Sequence, residues 1–194
     1  YQMLLNAGYE PDDARDWNNC GCVVPHFRKT GEWTAAVNMN FGSAMEYALN
    51  QGYSLMTGEK MGLDEKPASE MTSFDDVKNA FYKQFDNLCR HSIILTIEAQ
   101  RLHKEMVPRP FLSSCIEHCM ESGKDLSQGG AKYNVGPVIT GIGLAVVANS
   151  LAAVKKLVFE DQVCDMQTLA KALQANWEGF DDLREQAKAC PKYG

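Results

Sequence analysis

The run NCGCVVPHFRKTGEW, residues 19–33, decides how the rest of the chain is read. It sets Cys20 and Cys22 one residue apart around Gly21 and follows them with Val23, Val24 and Pro25. In an extended backbone alternate residues share a face, so Cys20 and Cys22 would point one way and Gly21 the other. A residue without a Cβ lets a second backbone or a ligand come close. The two valines favour a strand, and Pro25, which has no amide donor, predicts its end. His26, Arg28 and Lys29 then precede the Gly31 turn. The stretch predicts a short buried strand that delivers a thiol at its tip, with cations on the loop beyond it. Arg28 could grip a carboxylate with both arms of its planar fork. The plainer alternatives are a buried structural thiol at Cys22 and a solvated loop at Arg28 and Lys29.

The chain has 194 residues, 45% of them hydrophobic, enough to bury a substantial core. A net charge of −6 with no basic run longer than two residues argues against nucleic acid or an anionic membrane as partner. No basic leader feeds an apolar core at the start, so no signal peptide is read. The chain begins on Tyr1 and stops at PKYG directly after a helix-like segment, which we read as one internal piece, 1–194, of a longer protein. Seven cysteines, at 20, 22, 89, 115, 119, 164 and 190, are too sparse and odd in number for a secreted disulfide framework. Reduced thiols in a cytoplasm fit better.

Along the chain, residues 1–8 read as a helix stopped by Gly8, and EPDDARDW as a short helix opened by Pro11. Residues 34–50 carry apolar side chains at helical spacing and end at Gly52. Residues 53–69 read as a surface loop. Ser73 then caps the longest element, whose stripe Phe74, Val77, Phe81, Phe85, Leu88, Leu95, Leu102 and Met106 covers about nine turns before Pro108 and Pro110. Residues 111–114 are a strand candidate, 116–121 a short helix, and 126–137 a glycine-rich loop without the Lys-Ser/Thr ending of a phosphate-binding loop. Residues 138–159, 166–175 and 180–189 read as helices. The uncharged stretch 135–154 is long enough to span a bilayer, but its glycines, Pro137, Asn149 and Ser150 favour a buried core helix.

Other candidate groups carry less. Cys20 and Cys22 are closer together than the usual zinc pair. Cys115, His118 and Cys119 could share a helix face, yet no second pair completes a four-ligand set, so no metal site is expected. His91 and His103 fall within the long helix as packed or solvated residues. Arg109, between two prolines, reads as a fixed turn.

Taken in order, several motifs resemble the catalytic subunits of glycyl-radical enzymes, the pyruvate formate-lyase superfamily. They are Ala14-Arg15-Asp16, the Gly21-Cys22-Val23 tip with Pro25, PFLSS at 110–114, GGAKYN at 129–134, NSLAAVKKLVF at 149–159 and the closing PKYG. The resemblance implies an α/β fold, part of a ten-stranded β/α barrel, to which this helix-rich stretch supplies outer helices and part of the second half. It implies that Cys22 becomes a thiyl radical that abstracts hydrogen from substrate. It places the organic radical on a glycine beyond these residues, installed by a radical S-adenosylmethionine activating enzyme, with no cofactor bound in this stretch.

The family's lyases, dehydratases and arylacetate decarboxylases mostly read Gly-Cys-Val-Glu-Pro, with the Glu as acid/base group, whereas this chain has Val24 there. A site without that carboxylate suits hydrogen abstraction, radical addition to an alkene and return of the hydrogen. That resembles the fumarate-adding branch, alkylsuccinate synthase first and benzylsuccinate synthase second, with Val24 as apolar wall and Arg28 as the cation for fumarate. The implied partners are fumarate, a hydrocarbon, the activating enzyme and small accessory subunits. The alternatives are a decarboxylase or lyase with its acid/base group elsewhere and, in another class, a non-catalytic thiol or metal module built on Cys20, Cys22, Cys115 and Cys119.

Overall fold

The computed structural model describes residues 1–20, 24–27, 31–32, 36–134 and 138–192; of residues 19, 20, 24, 25, 27, 31 and 32 it describes the backbone alone. The chain folds as two compact units, residues 1–37 with 93–139 and residues 38–92 with 140–194.

The first unit opens with two short helices, α1 (Gln2–Asn6) and α2 (Pro11–Arg15). Pro11 sits in the first turn of α2, where its missing amide costs nothing, and Asp12 and Asp13 face the positive end of the helix dipole. Leu4 and the fully buried Ala14 form a small core with Leu5, Tyr9 and Tyr133 packed against it. The single strand expected around Cys20 and Cys22 is instead a hairpin. β1 (Trp17–Cys20) pairs antiparallel with β2 (Val24–Phe27), Cys20 opposite Val24 and Asn19 opposite Pro25. Pro25 lies within β2 rather than ending it, because alternate amides of a two-stranded ribbon point away from the partner and one can be dispensed with. β3 (Gly31–Glu32) follows and pairs parallel with β5 (Tyr133–Asn134), Gly31 opposite Tyr133.

Two expected helices start later than their sequences suggested. Within 34–50 the described chain is first a strand, β4 (Ala36–Asn40), and then helix α3 (Phe41–Leu49). Within 138–159 it is strand β6 (Val138–Ile142), helix α7 (Leu144–Val154) and a π-helical turn at Lys155–Glu160. β4 and β6 form one two-stranded sheet. Asn40 ends β4 by accepting a 2.9 Å hydrogen bond from the Gly42 amide, an N-cap. Gly143, at φ +90°, turns the chain from β6 into α7, a backbone state that favours glycine.

The long helix is α4 (Phe74–Met106), and its start is a reciprocal cap. The Asp76 amide donates to Ser73 Oγ at 3.1 Å, and the Ser73 amide donates to Asp76 Oδ2 at 2.9 Å. Lys66, and then the Ser73 hydroxyl and amide, hold the Asp76 carboxyl well below its ordinary range. In the second unit Val77, Ala80 and Phe81 of this helix pack with α3, α7, α8 (Met166–Gln174) and α9 (Asp181–Ala189) in one core. Phe85 stacks on Phe81 at 5.8 Å and meets Phe41 edge-on at 5.0 Å. The expected apolar stripe is buried only over the first half. Beyond it Ser92 and Thr96 are the buried residues, while Leu95, Leu102 and Met106 are 57%, 42% and 73% exposed.

Gln84, fully buried, holds the 53–69 loop to α4. Its Oε1 accepts from the Leu63 amide at 2.9 Å and its Nε2 donates to the Leu63 carbonyl at 2.8 Å. Residues 111–114 are not a strand: α5 (Pro110–Ser113) is a single helical turn that Pro110 opens, and α6 (Cys119–Ser122) is shorter than expected. His118 precedes α6 at φ +75°, so Cys115, His118 and Cys119 do not share one helix face. Among the described residues no helix is long and apolar enough to cross a membrane, and no three His, Cys, Asp or Glu side chains are grouped to hold a metal ion.

Candidate active site

The three residues joining β1 to β2 include Cys22, which lies outside the described residues, as does Arg28 between β2 and β3. Val24 is the first residue of β2, with Cys20 as its ladder partner. The described backbone pairs Cys20 with Val24, and Arg28 follows the last residue of β2 in the sequence. The other thiols have different surroundings. Burial pushes the Cys89, Cys119 and Cys164 thiols up, so they stay protonated, as structural cysteines do.

The helix that leads into β1 is tied to residues far away in sequence. The Lys132 ammonium donates to Asp13 Oδ2 at 2.7 Å and to Glu10 Oε2 at 2.9 Å. The Tyr133 hydroxyl donates to Asp13 Oδ2 at 2.6 Å and accepts from the Glu10 amide at 3.2 Å. Lys132 and then Tyr133 hold the Asp13 carboxyl below its usual value, and Asp13 and Glu10 push the Lys132 ammonium up. Burial first, and then Asp13, raises the Tyr133 phenol. The three groups are thus a carboxylate, an ammonium and a neutral phenol across the physiological range. The Asp13 side chain is only 16% exposed, so these charge-assisted bonds outrank an ordinary surface pair.

The loop leading into Lys132 is itself built around one carboxylate. Asp125 accepts from the Arg109 amide at 2.8 Å, the Ser113 hydroxyl at 2.7 Å, the Ser127 hydroxyl at 2.6 Å and the Ser127 amide at 2.9 Å. Burial pushes the Asp125 carboxyl up, but these bonds together outweigh it and keep it below its ordinary value. Arg109, expected in a turn, is the N-cap residue of α5, with its amide held by Asp125. At Gly130 a Cβ would overlap the Lys124 carbonyl oxygen and come within 3.0 Å of the Asp125 carbonyl oxygen, both rigid backbone. Gly130→Ala is accordingly expected to cost about 1–3 kcal/mol through overpacking, read as a lower thermal midpoint in the full-length protein.

Asp13, Lys132, Tyr133 and Asp125 were not singled out from sequence. Asp13 and Lys132 are 119 residues apart, and no local spacing announces their meeting. Only the presence of ARD and GGAKYN among the family-like motifs hinted that both segments matter.

The family model described as "Pyruvate formate lyase-like" matches residues 1–194. The (2S)-3-sulfopropanediol dehydratase of Klebsiella oxytoca is 36% identical over 93% of this chain and 22% of its own length. The glycerol-bound B12-independent glycerol dehydratase of Clostridium butyricum superposes with a TM-score of 0.88 at 32% identity, covering 100% of this chain and 24% of that one. A glycyl radical enzyme from Archaeoglobus fulgidus superposes with a TM-score of 0.83 at 28% identity, covering 98% of this chain and 24% of that one. The chain thus spans about a quarter of the length of the relatives it matches.

Proposed function

The chain belongs to the pyruvate formate lyase-like family of glycyl-radical enzymes, and from that premise we propose that it is part of a catalytic subunit that adds a hydrocarbon, an n-alkane first, to fumarate. The observation that carries the reading is Val24. The residue two positions after the radical-bearing cysteine, a Glu in most acid/base members of the family, is here an apolar side chain beginning β2 opposite Cys20. Arg28, just beyond β2, is the local cation for a fumarate carboxylate.

The glycyl radical, made by an activating enzyme on a glycine beyond these residues, supplies the unpaired electron. Cys22 does the rest of the hydrogen chemistry. Its sulfur radical takes a hydrogen atom from the hydrocarbon, breaking C–H and forming S–H. The carbon radical adds to one alkene carbon of fumarate, forming C–C and leaving the unpaired electron on the neighbouring carbon. That carbon takes the hydrogen back from Cys22, which regenerates the sulfur radical. No proton is transferred, so a carboxylate at position 24 has no task. Removing hydrogen from an unactivated C–H is uphill for a thiyl radical, and a dry apolar pocket is needed to keep it from side reactions. The reduced thiols fit a cytoplasmic, anaerobic setting.

The matched dehydratases favour a second reading, loss of water from a polar substrate, and a matched arylacetate decarboxylase favours its variant, loss of carbon dioxide, in each case with the acid/base group elsewhere. Activated full-length enzyme, kept strictly anaerobic, separates the two. Incubation with fumarate and an n-alkane, or fumarate and toluene, is expected to give a product holding both carbon skeletons. Turnover of a diol or an arylacetate without consumption of fumarate would establish the second reading instead.

A further inference from the structure

We infer that Asp13, with Lys132 and Tyr133, is a positioning clamp that fixes both ends of the segment carrying Cys22, Val24 and Arg28. At one end, α2 bears Asp13 and leads within two residues of its last residue, Arg15, into β1, the strand that delivers the chain to Cys22. At the other end, the chain past Arg28 enters β3, and β3 is held by β5, whose first residue is Tyr133. Lys132 and Tyr133 both bond the same oxygen, Asp13 Oδ2, at 2.7 and 2.6 Å. One carboxylate oxygen therefore joins the start of residues 17–32 to the strand that holds their finish. Apolar packing reinforces it, since Tyr133 meets Tyr9 edge-on at 4.8 Å and packs on the core formed by Leu4 and Ala14. Lys132 adds a second tie to α2 through Glu10 at its N-cap.

The inference rests on Cys22 as the reacting thiol, and not on the identity of the substrate. Hydrogen transfer between sulfur and carbon depends steeply on their separation, and misplacing reacting atoms by about 1 Å can cost on the order of 100-fold in rate. A loop tied at both ends to one point can hold that separation with little sequence of its own.

The test uses activated full-length enzyme and whichever substrate the parent turns over. Lys132→Met removes the ammonium, Lys132→Arg restores a cation, and Tyr133→Phe removes only the hydroxyl while keeping the ring packing. We expect kcat to fall about 10- to 100-fold in Lys132→Met and by less in Tyr133→Phe. Glycyl-radical content, read by electron paramagnetic resonance, should equal the parent's, and KM should change far less than kcat. The primary isotope effect with deuterated substrate should rise, because hydrogen transfer becomes the slower step, and Lys132→Arg should recover most of the loss. An unchanged kcat would overturn the clamp. So would a loss of radical content in proportion to kcat with an unaltered isotope effect, which marks a merely structural link. Failure of fumarate addition shows in the parent's substrate choice, whereas failure of the clamp shows only in the variants.

Discussion

Cys22→Ser is expected to reduce product formation to background in the full-length enzyme while the glycyl radical still forms on activation. The oxygen–hydrogen bond of a hydroxyl is much stronger than the sulfur–hydrogen bond of a thiol. A serine at position 22 therefore cannot hand its hydrogen to the stored radical and cannot act as relay. Ser and Cys are close in size, and a parent level of glycyl radical in the variant separates a lost relay from a folding defect. Cys20→Ser is the control. Cys20 belongs to β1, with its backbone in the ladder opposite Val24, and should retain measurable turnover after substitution. Radical content by electron paramagnetic resonance and product by mass spectrometry check both variants together. Activity that survives Cys22→Ser and disappears in Cys20→Ser would move the reacting sulfur from the connecting residues into the strand.

Val24→Glu carries the second large effect. The family's acid/base members have a glutamate here, so the backbone of such a hairpin accommodates one. If the site adds a carbon radical to fumarate, the introduced carboxylate meets no proton to move, and Arg28, the local cation of the proposed site, is engaged by fumarate. An unpaired carboxylate in a dry pocket costs several kcal/mol or is forced to stay protonated. It would also set negative charge beside the two carboxylates of fumarate. Turnover of fumarate with hydrocarbon should fall by at least about 100-fold, the factor that some 3 kcal/mol produces. An enzyme that had only moved its general base would tolerate the change or gain from it. Product formation from fumarate plus alkane, and separately from an arylacetate, distinguishes the two, and unchanged turnover would remove Val24 as the reason for preferring fumarate.

What could be read in advance was what is locally encoded. The α4 cap at Ser73, the proline that opens α2 and the two C-terminal helices all depend on residues within a turn or two of each other. The missed strands, β3, β4, β5 and β6, depend on partners about a hundred residues away. Ala36 and Met39 continue the helical spacing of α3 yet lie in β4, and only pairing with β6 decides between the two. Gly141 and Gly143 were the available signal in the apolar stretch. A Cβ at Gly141 would run into the Phe41 ring, and Gly143 has a positive φ, so the chain there is a strand and a turn before it is a helix. In PFLSS the strand expectation gives way to a helical turn, for which Pro110 at the start is the local cue. At the candidate site the sequence identified the segment by its chemistry. It could not reveal that Asp13 and Lys132 hold that segment, because side-chain pairing across 119 residues leaves no periodic trace.

The Gln84 bridge to the Leu63 backbone also constrains how this protein can diverge. A Cβ at Gly62 would overlap Gln84 Oε1 and lie 3.0 Å from Tyr47 Cβ, so the glycine exists at that position because the amide occupies its space. Replacing Gln84 alone leaves the Leu63 amide and carbonyl without their partner, and replacing Gly62 alone drives the amide out of place. Either step passes through a less stable protein, while exchange of both reaches a new packing. Positions 62 and 84 should therefore vary as a linked pair across descendants of this chain, glycine persisting wherever glutamine does, although neither residue takes part in the chemistry.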